Sequence, residues 1–245
     1  MSSGSDKANL EEQCRIRMGD DLGQVFFALW NEVLRLNLQW KDYQHLYGSQ
    51  EGVDVLISTA PALFRRIRDL YRSYFILSLS RFIDPAETRK RGRSHPNLSL
   101  QQLNRAVQEH PDCSAIAAQV TELIKAAQQA CRAYKDWRDK TVAHRDLALS
   151  LDPTRLEQLP PVTPENMDRA IESLGAVLTP IYQRFIDNAD ICYSPVSLHG
   201  DGSALLKHLR RSANFESRKK DCRLRGESPP EDPLRWSPPD LQATH

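Results

Sequence analysis

"IAAQVTELIKAAQQACRAYKDW", residues 116–137, decides the fold because its apolar side chains recur every three or four positions. A stripe of this kind predicts an amphipathic helix that buries one face. Its members are Ile116, Val120, Leu123, Ala127, Ala130, Tyr134 and Trp137. Glycine is sparse, with 10 residues, and the alternation typical of strands is almost absent. The segment therefore indicates a fold built from helices.

Comparable apolar spacing on both sides of that segment extends the prediction to the rest of the chain. The other predicted helices cover residues 11–46, a segment that ends near 84, and residues 100–109, 165–190 and 203–211. Pro85 closes the second helix, and Pro61 marks either its first turn or a kink. We expect an all-α fold, a bundle of long antiparallel helices. Residues 1–10 are expected to be flexible, 11–211 to form the helical domain, and the polar, proline-rich 212–245 to form a disordered tail.

The charge balance excludes a chain that attracts nucleic acid over its whole surface. Lys and Arg number 33 and Asp and Glu 32, so the formal net charge is +1 and any polyanion site is local. The five cysteines form no C-x-x-C pair, and the histidines show no metal-ligand spacing. No apolar run is long enough to cross a bilayer, and the first ten residues lack a secretory segment. We expect a cytoplasmic protein with reduced thiols, no metal, no other cofactor and no membrane partner.

The second predicted helix carries an arginine on a line that is otherwise apolar. The apolar members of the line are Leu63, Ile67, Leu70, Tyr74 and Leu77. Arg81 continues the line four positions later. A guanidinium on a buried seam needs an anionic partner. The candidates are Asp84, Asp136, Asp139 and Asp146, or the phosphate of a ligand.

"DWRDKTVAHRD", residues 136–146, ends the deciding helix and contains Arg138 and His144. One interpretation is a charged helix end, because the helix dipole stabilises cations at a C-terminus. The other is a catalytic site. His144 lies seven residues after Trp137 and continues the apolar stripe, while Arg138 lies four after Tyr134 and flanks it. At about 100° per residue, Arg138 and His144 lie about 120° apart and do not share one face.

A neutral histidine beside fixed guanidiniums suits the cleavage of RNA without a metal. Partial burial next to cations favours the neutral imidazole that a general base requires. His144 would take the proton from a ribose 2′-OH, and the oxygen would attack the adjacent phosphorus. Arg138, together with Arg81, would stabilise the charge on the phosphoryl oxygens. The products would be a 2′,3′-cyclic phosphate and a 5′-OH.

Further cations lie in the motif and after the second predicted helix. Lys140 and Arg145 belong to the motif itself. The loop "DPAETRKRGRSHPN", residues 84–97, adds Arg89, Lys90, Arg91 and Arg93. These cations either guide an RNA backbone or form a solvated surface.

Several motifs, in this order along the chain, resemble one family of helical domains. "STAPALF" (58–64), "SLSRFIDP" (78–85) and "NLSLQQL" (97–103) resemble the abortive-infection U-type HEPN-like family. "RDKTVAHRD" (138–146) resembles the signature of the HEPN superfamily, an arginine, a polar residue, four variable positions and a histidine. The resemblance covers about residues 13–211 and implies an HEPN-like helical bundle.

The resemblance also implies roles for the motif residues in a prokaryotic defence system of the abortive-infection or toxin–antitoxin kind. Arg138 becomes the family arginine, His144 the family histidine and Asp139 the polar residue after the arginine. Many members carry Asn at that last position. Asp139 therefore either orients Arg138 through an ion pair or weakens the binding of substrate phosphate. Members typically dimerise, so that two copies of the motif face each other across a cleft.

Three functions stay open on the sequence. We favour a homodimeric, metal-independent endoribonuclease whose substrate is RNA, and the resemblance implies an antitoxin or another defence protein as a further partner. The alternative is a catalytically inactive HEPN-like module that binds RNA or a protein partner, as some family members do. The third is a helical scaffold in which Arg138 and His144 only cap a helix end.

Overall fold

The computed structural model describes residues 3–90, 92–142, 159–186 and 200–228. Within them the chain forms seven α-helices and one two-stranded sheet, so the all-α class is confirmed. The helices are α1 (Ser3–Tyr47), α2 (Gln50–Thr59), α3 (Pro61–Phe82), α4 (Leu100–Glu109), α5 (Ala117–Trp137), α6 (Pro164–Phe185) and α7 (Gly202–Arg225). A 3-10 turn, Pro111–Cys113, precedes α5, and a π-helical turn, Arg138–Val142, follows it. Each described helix is too short or too polar to cross a lipid bilayer.

Contacts within the chain group it into two compact units. The first contains the described residues of Met1–Trp40 and Asp69–Val196, and the second those of Lys41–Arg68 and Ser197–His245. Helices α1 and α3 each contribute residues to both units. The single helical domain expected over residues 11–211 stays a prediction.

Helix α1 consists of two helical segments joined at Gly19. This residue has φ 72° and ψ 169°, a conformation that L side chains rarely adopt. A Cβ at Gly23 would lie 2.6 Å from the carbonyl oxygen of Cys14, so glycine is required where the two segments meet. The buried side chains of residues 14–40 keep helical spacing and are Cys14, Met18, Leu22, Phe26, Leu29, Val33, Leu36 and Trp40. Helix α1 begins at Ser3, inside the segment for which we expected flexibility.

Helices α5 and α6 pack against each other in the core of the first unit. The buried residues of α5 are Val120, Ile124, Ala127, Cys131 and Tyr134. They confirm an amphipathic helix, although Leu123, Ala130 and Trp137 of the predicted stripe are only half-buried at its edge. The indole Nε1 of Trp40 on α1 donates to Oδ1 of Asp168 on α6 at 2.6 Å. Helix α1 is thus joined to the core by a polar contact as well as by apolar packing.

The prediction that the line from Leu63 to Arg81 forms the buried face of α3 is wrong. Leu63 is 54% exposed and Leu70 69% exposed, and Arg81 is also exposed. The buried apolar residues of the helix are Phe64, Phe75, Ile76, Leu79 and Phe82. Both lines have helical spacing, but the second carries more aromatic rings, which bury more area for each residue. Phe75 packs edge-to-face on Trp40, with 5.5 Å between ring centroids.

The second unit is built around α2 and α7, which pack against each other. A separate α2 was not predicted, and Pro61 turns out to be the first residue of α3. Asp201 caps α7 by accepting from the backbone N–H of Ala204 at 3.0 Å. Helix α7 continues to Arg225 and includes residues 212–225 of the expected tail. Residues 229–245 of the expected tail lie outside the described residues.

The basic loop predicted between the second and third helices contains an antiparallel hairpin. Strands β1 (Glu87–Lys90) and β2 (Arg93–Pro96) pair with Glu87 opposite Pro96 and Lys90 opposite Arg93. Gly92, at the turn, has φ 75°. The residues of β2 are all exposed, so the hairpin lies on the surface of the first unit.

Candidate functional site

The predicted site lies where α5 changes into the π-helical turn. The backbone N–H of Arg138 bonds to the carbonyls of Lys135 and Tyr134, and the chain then widens into the turn. The hydroxyl of Thr141 donates to the carbonyl of Trp137 at 2.6 Å. Single π turns inside or after α-helices are rare and are frequent at functional sites. The local backbone therefore singles out the same short segment as the sequence motif does.

Arg138 is held by two carboxylates. Its Nη1 donates to Oδ1 of Asp84 at 2.9 Å and to Oδ2 at 3.1 Å, and its Nε donates to Oδ1 of Asp139 at 2.9 Å. The side chain of Arg138 is 17% exposed and that of Asp84 26%. Nη2 meets no acceptor among the described residues. The guanidinium is thus fixed in orientation with one NH₂ group left for a further anion.

The pKa of Arg138 reflects the balance between burial and these two partners. Burial alone would lower the pKa of the guanidinium. The hydrogen bonds and the negative charges of Asp84 and Asp139 outweigh burial and raise the pKa above its ordinary value. Arg138 therefore remains a cation at every physiological pH.

Asp84 reaches Arg138 because α3 ends next to it. The backbone N–H of Asp84 bonds to the carbonyl of Arg81 at 3.2 Å, which closes the last turn before Pro85. Asp84 was one of several candidate partners of Arg81, together with Asp136, Asp139, Asp146 and a ligand phosphate. It pairs with Arg138 instead, and Arg81 makes no ion pair within the described part of the chain.

A cavity of about 410 Å³ lies in the first unit beside the Asp84–Arg138 pair. Its wall consists of Leu29, Glu32, Arg35, Tyr74, Ser78, Arg81, Phe82, Asp84, Asn97 and Leu98. Glu32 and Arg35 pair with each other at 3.1 Å. The cavity thus combines apolar walls, hydroxyl and amide groups, and one arginine, Arg81, whose charge is not taken up by a described residue.

The hairpin stands next to this cavity and is fixed at its base. The amide Nδ2 of Asn97 donates to the carbonyl of Pro85 at 2.8 Å and to Oγ1 of Thr88 at 2.7 Å. Glu87 accepts from Ser94 and from Arg105, both at 2.6 Å. These two hydrogen bonds, together with the charge of Arg105, lower the pKa of Glu87. The hairpin is therefore attached to α4 through the Glu87–Arg105 ion pair.

The other predicted site residues are distributed as follows. Arg89 and Arg93 are exposed on the hairpin, Lys90 ends β1, and Lys140 is exposed in the π-helical turn. His144, Arg145 and Arg91 lie outside the described residues. Arg138 and Asp139 form an ion pair, which was one of the two interpretations of Asp139. The structure adds Asp84 as a second carboxylate partner of Arg138. The sequence signal for Asp84 was its place in "SLSRFIDP", directly before the proline that ends α3.

Comparison with known proteins gives one finding that bears on this site. The family model HEPN_AbiU2, described as AbiU2, matches residues 19–214, which include α3, the hairpin, α5 and the whole "RDKTVAH" motif. No curated protein and no solved structure matches the chain. The match covers well over half of the chain and contains every part of the site described above. The chain therefore belongs to the AbiU2 family of HEPN domains, which are abortive-infection modules.

Proposed function

We propose that the protein is a metal-independent endoribonuclease of a prokaryotic abortive-infection or toxin–antitoxin system, acting in the cytoplasm. The observation that carries the proposal is the fixed guanidinium of Arg138, which is 17% exposed and keeps Nη2 free of described acceptors. A preoriented cation in a partly buried site stabilises negative charge that develops during a reaction. Because Arg138 lies in a HEPN motif, we infer that this charge is on the phosphoryl group of RNA.

The reaction needs no external nucleophile. His144 takes the proton of a ribose 2′-OH as that oxygen attacks the adjacent phosphorus. The P–O5′ bond breaks, the 5′ oxygen receives a proton, and the products are a 2′,3′-cyclic phosphate and a 5′-OH. Arg138 binds a phosphoryl oxygen during the whole reaction. Arg81, in the neighbouring cavity, stabilises the same negative charge. The role of His144 rests on its place in the sequence motif.

The cations near the site provide the attraction for RNA. Arg89 and Arg93 are exposed on the hairpin and Lys140 in the π-helical turn. We assign Lys90, Arg91 and Arg145 to the same surface from their sequence positions. Since the chain as a whole has a formal charge of only +1, such a local concentration of cations is what an RNA backbone requires.

An exposed apolar face on α3 favours a homodimer. Leu70 is 69% exposed, and Leu77, which lies two turns further along the same face, is half-buried. A large apolar side chain at such exposure gains from being covered by a protein surface. A second copy of the chain is the partner we propose, and an antitoxin or another defence protein would be a further partner.

The two carboxylates on Arg138 favour a second candidate function. Asp84 and Asp139 together carry two negative charges against one guanidinium, which reduces the attraction for a phosphate. An arginine whose charge is outweighed in this way suits an inactive HEPN-like module that binds RNA or a protein partner. The two candidates differ in whether RNA is cut.

The deciding experiment is RNA cleavage in EDTA by the purified full chain. We expect cleavage by the wild type, products with 2′,3′-cyclic phosphate and 5′-OH ends, and a loss of about 10²–10⁴-fold in His144→Ala, the usual contribution of a general base. Arg72→Ala, an exposed arginine on α3 away from the cavity, is the matched control and should cut RNA normally. Absence of cleavage, together with undiminished growth toxicity of His144→Ala on expression, would reject the ribonuclease and leave the binding module.

A further inference from the structure

We propose that the cavity beside the Asp84–Arg138 pair binds one nucleotide of the RNA, next to the phosphodiester that is cut. The inference rests on the proposed function and adds a subsite that selects bases. The volume of the cavity, about 410 Å³, falls within the range of about 300–1,000 Å³ typical of pockets for small ligands. Asp84 belongs both to the wall of the cavity and to the ion pair that holds Arg138. A ligand in the cavity is therefore adjacent to the proposed catalytic arginine.

Of the charged side chains that line the cavity, one cation is not paired with a described residue and is available to a ligand. Arg35 is paired with Glu32 at 3.1 Å, and Asp84 is committed to Arg138. Arg81 is exposed at the cavity and makes no ion pair among the described residues. A guanidinium in this position binds a phosphate through two parallel hydrogen bonds. Arg81 thus supplies the first requirement of a nucleotide subsite, a cation available to a phosphate.

The apolar part of the wall provides a place for a base. Tyr74 is half-buried, and its ring packs edge-to-face on that of Phe75, with 5.7 Å between centroids. Leu29 and Leu98 lie in the same wall and add to its apolar surface. Single-stranded RNA is typically recognised by splayed bases that stack on aromatic side chains.

Two polar residues, Asn97 and Ser78, belong to the same wall. Both amide protons of Asn97 are used, by the carbonyl of Pro85 and by Oγ1 of Thr88, so the orientation of the side chain is fixed. Its Oδ1 receives no donor from the described residues and accepts an N–H of a base. The hydroxyl of Ser78 lies in the same wall. A wall with a fixed acceptor discriminates between bases that present a donor and bases that present an acceptor at that point.

The test is calorimetric titration of the full chain with the 5′-monophosphates of adenosine, cytidine, guanosine and uridine, and with inorganic phosphate. We expect at least one nucleotide to bind more tightly than phosphate. Arg81→Ala should weaken that binding by about tenfold or more, since a hydrogen bond to a charged group is lost. Tyr74→Leu should weaken it through the loss of stacking, and Arg72→Ala, outside the cavity, should leave it unchanged.

A second variant guards against misfolding of Tyr74→Leu. Leu98 is 42% exposed at the rim of the cavity, so Leu98→Glu is expected to fold and to repel the phosphate. Nucleotide binding that is unchanged in both Arg81→Ala and Leu98→Glu overturns the subsite. Binding of inorganic phosphate as tight as that of every nucleotide also overturns it, because no base is then recognised.

The binding and cleavage experiments together distinguish failure of the nucleotide subsite from failure of the proposed ribonuclease activity. Nucleotide binding that depends on Arg81, in a protein that cuts no RNA, supports the subsite and rejects the ribonuclease. RNA cleavage by a protein whose cavity variants keep both nucleotide affinity and base preference overturns the subsite and leaves the ribonuclease standing. If both proposals hold, mapping of the cut sites should show a base preference that Tyr74→Leu relaxes.

Discussion

Arg138 and Asp84 form an ion pair in which one guanidinium nitrogen lies 2.9 and 3.1 Å from the two carboxylate oxygens, although the residues are 54 positions apart in the sequence. The pair joins the end of α3 to the end of α5. It fixes the arginine of the family motif from outside the motif. Asp84 is therefore the positioning residue that a search confined to residues 136–146 cannot find.

Loss of this partner should destabilise the fold. Asp84→Ala leaves a guanidinium that is only 17% exposed without its main acceptor, and we expect a loss of about 1–3 kcal/mol in the free energy of unfolding. Urea unfolding measures it. Asp69→Ala is the matched control, because Asp69 is an exposed acid of α3 that makes no ion pair among the described residues. Equal midpoints for the two variants would contradict the structural role of the pair.

Removal of the charge at position 139 should increase the affinity for RNA. In Asp139→Asn the side-chain carbonyl can still accept from Nε of Arg138, but the competing negative charge is gone. Asp139 is 52% exposed, so the effect is screened, and we expect a rise of about two- to fivefold. Filter binding of a short single-stranded RNA by His144→Ala, with and without the second change, measures it. The gain should shrink at high salt, and a gain independent of salt would point to another cause.

The stability of the fold should fall at alkaline pH because the thiol of Cys131 is buried in α5. Burial raises the pKa of the Cys131 thiol from its ordinary 9.0 to about 12. The folded state therefore keeps the proton while the unfolded state loses it. The contribution is fully present below pH 9 and declines as the pH rises towards 12. Unfolding midpoints in urea at pH 8, 9 and 10 should decrease, and Cys131→Ala should flatten the decrease.

The Trp40–Asp168 contact should contribute to the packing of α1 on α6. In Trp40→Phe the 2.6 Å hydrogen bond is lost, while an aromatic ring remains to face Phe75. We expect a loss of about 1–3 kcal/mol, since a hydrogen bond to a charged acceptor disappears. Asp168→Asn is the matched control, as its carbonyl still accepts from the indole. Thermal or urea unfolding should show a smaller loss for Asp168→Asn than for Trp40→Phe.

A charge on the exposed face of α3 should disrupt the proposed homodimer. Leu70→Asp places a carboxylate where we expect contact with a second copy, and light scattering should then give the mass of one chain. Leu224, which is 78% exposed on α7, offers a control leucine for the same change. A wild type that is already monomeric, or a dimer that survives Leu70→Asp, would remove this face from the interface.

Helical periodicity predicted the class of the fold and the position of α5, but it did not identify the buried face of α3. Two lines of side chains on α3 have the same spacing, and only tertiary packing against Trp40 selects the line that contains Phe75. Leu70 and Arg81, assigned to the seam from the sequence, are exposed as a result.

The hairpin and the arginine's partner were missed for different reasons. The strands of the hairpin are polar on both faces, so no alternation of apolar residues marks them, and only Gly92 indicates a turn. The pairing of Asp84 with Arg138 is a contact between distant segments, which residue spacing does not encode. By contrast, Arg138 and Asp139 are neighbours, and an ion pair between them was one of the two interpretations that the sequence offered.

The π-helical turn at Arg138–Val142 changes the phase of the chain that follows it. An α-helix advances by about 100° for each residue, whereas hydrogen bonds from residue i to i+5 wind the chain more slowly. The side chains of the turn up to Thr141 are therefore out of phase with the face that α5 buries. Insertion or deletion of one residue between 138 and 142 would change this phase while it left α5 unchanged.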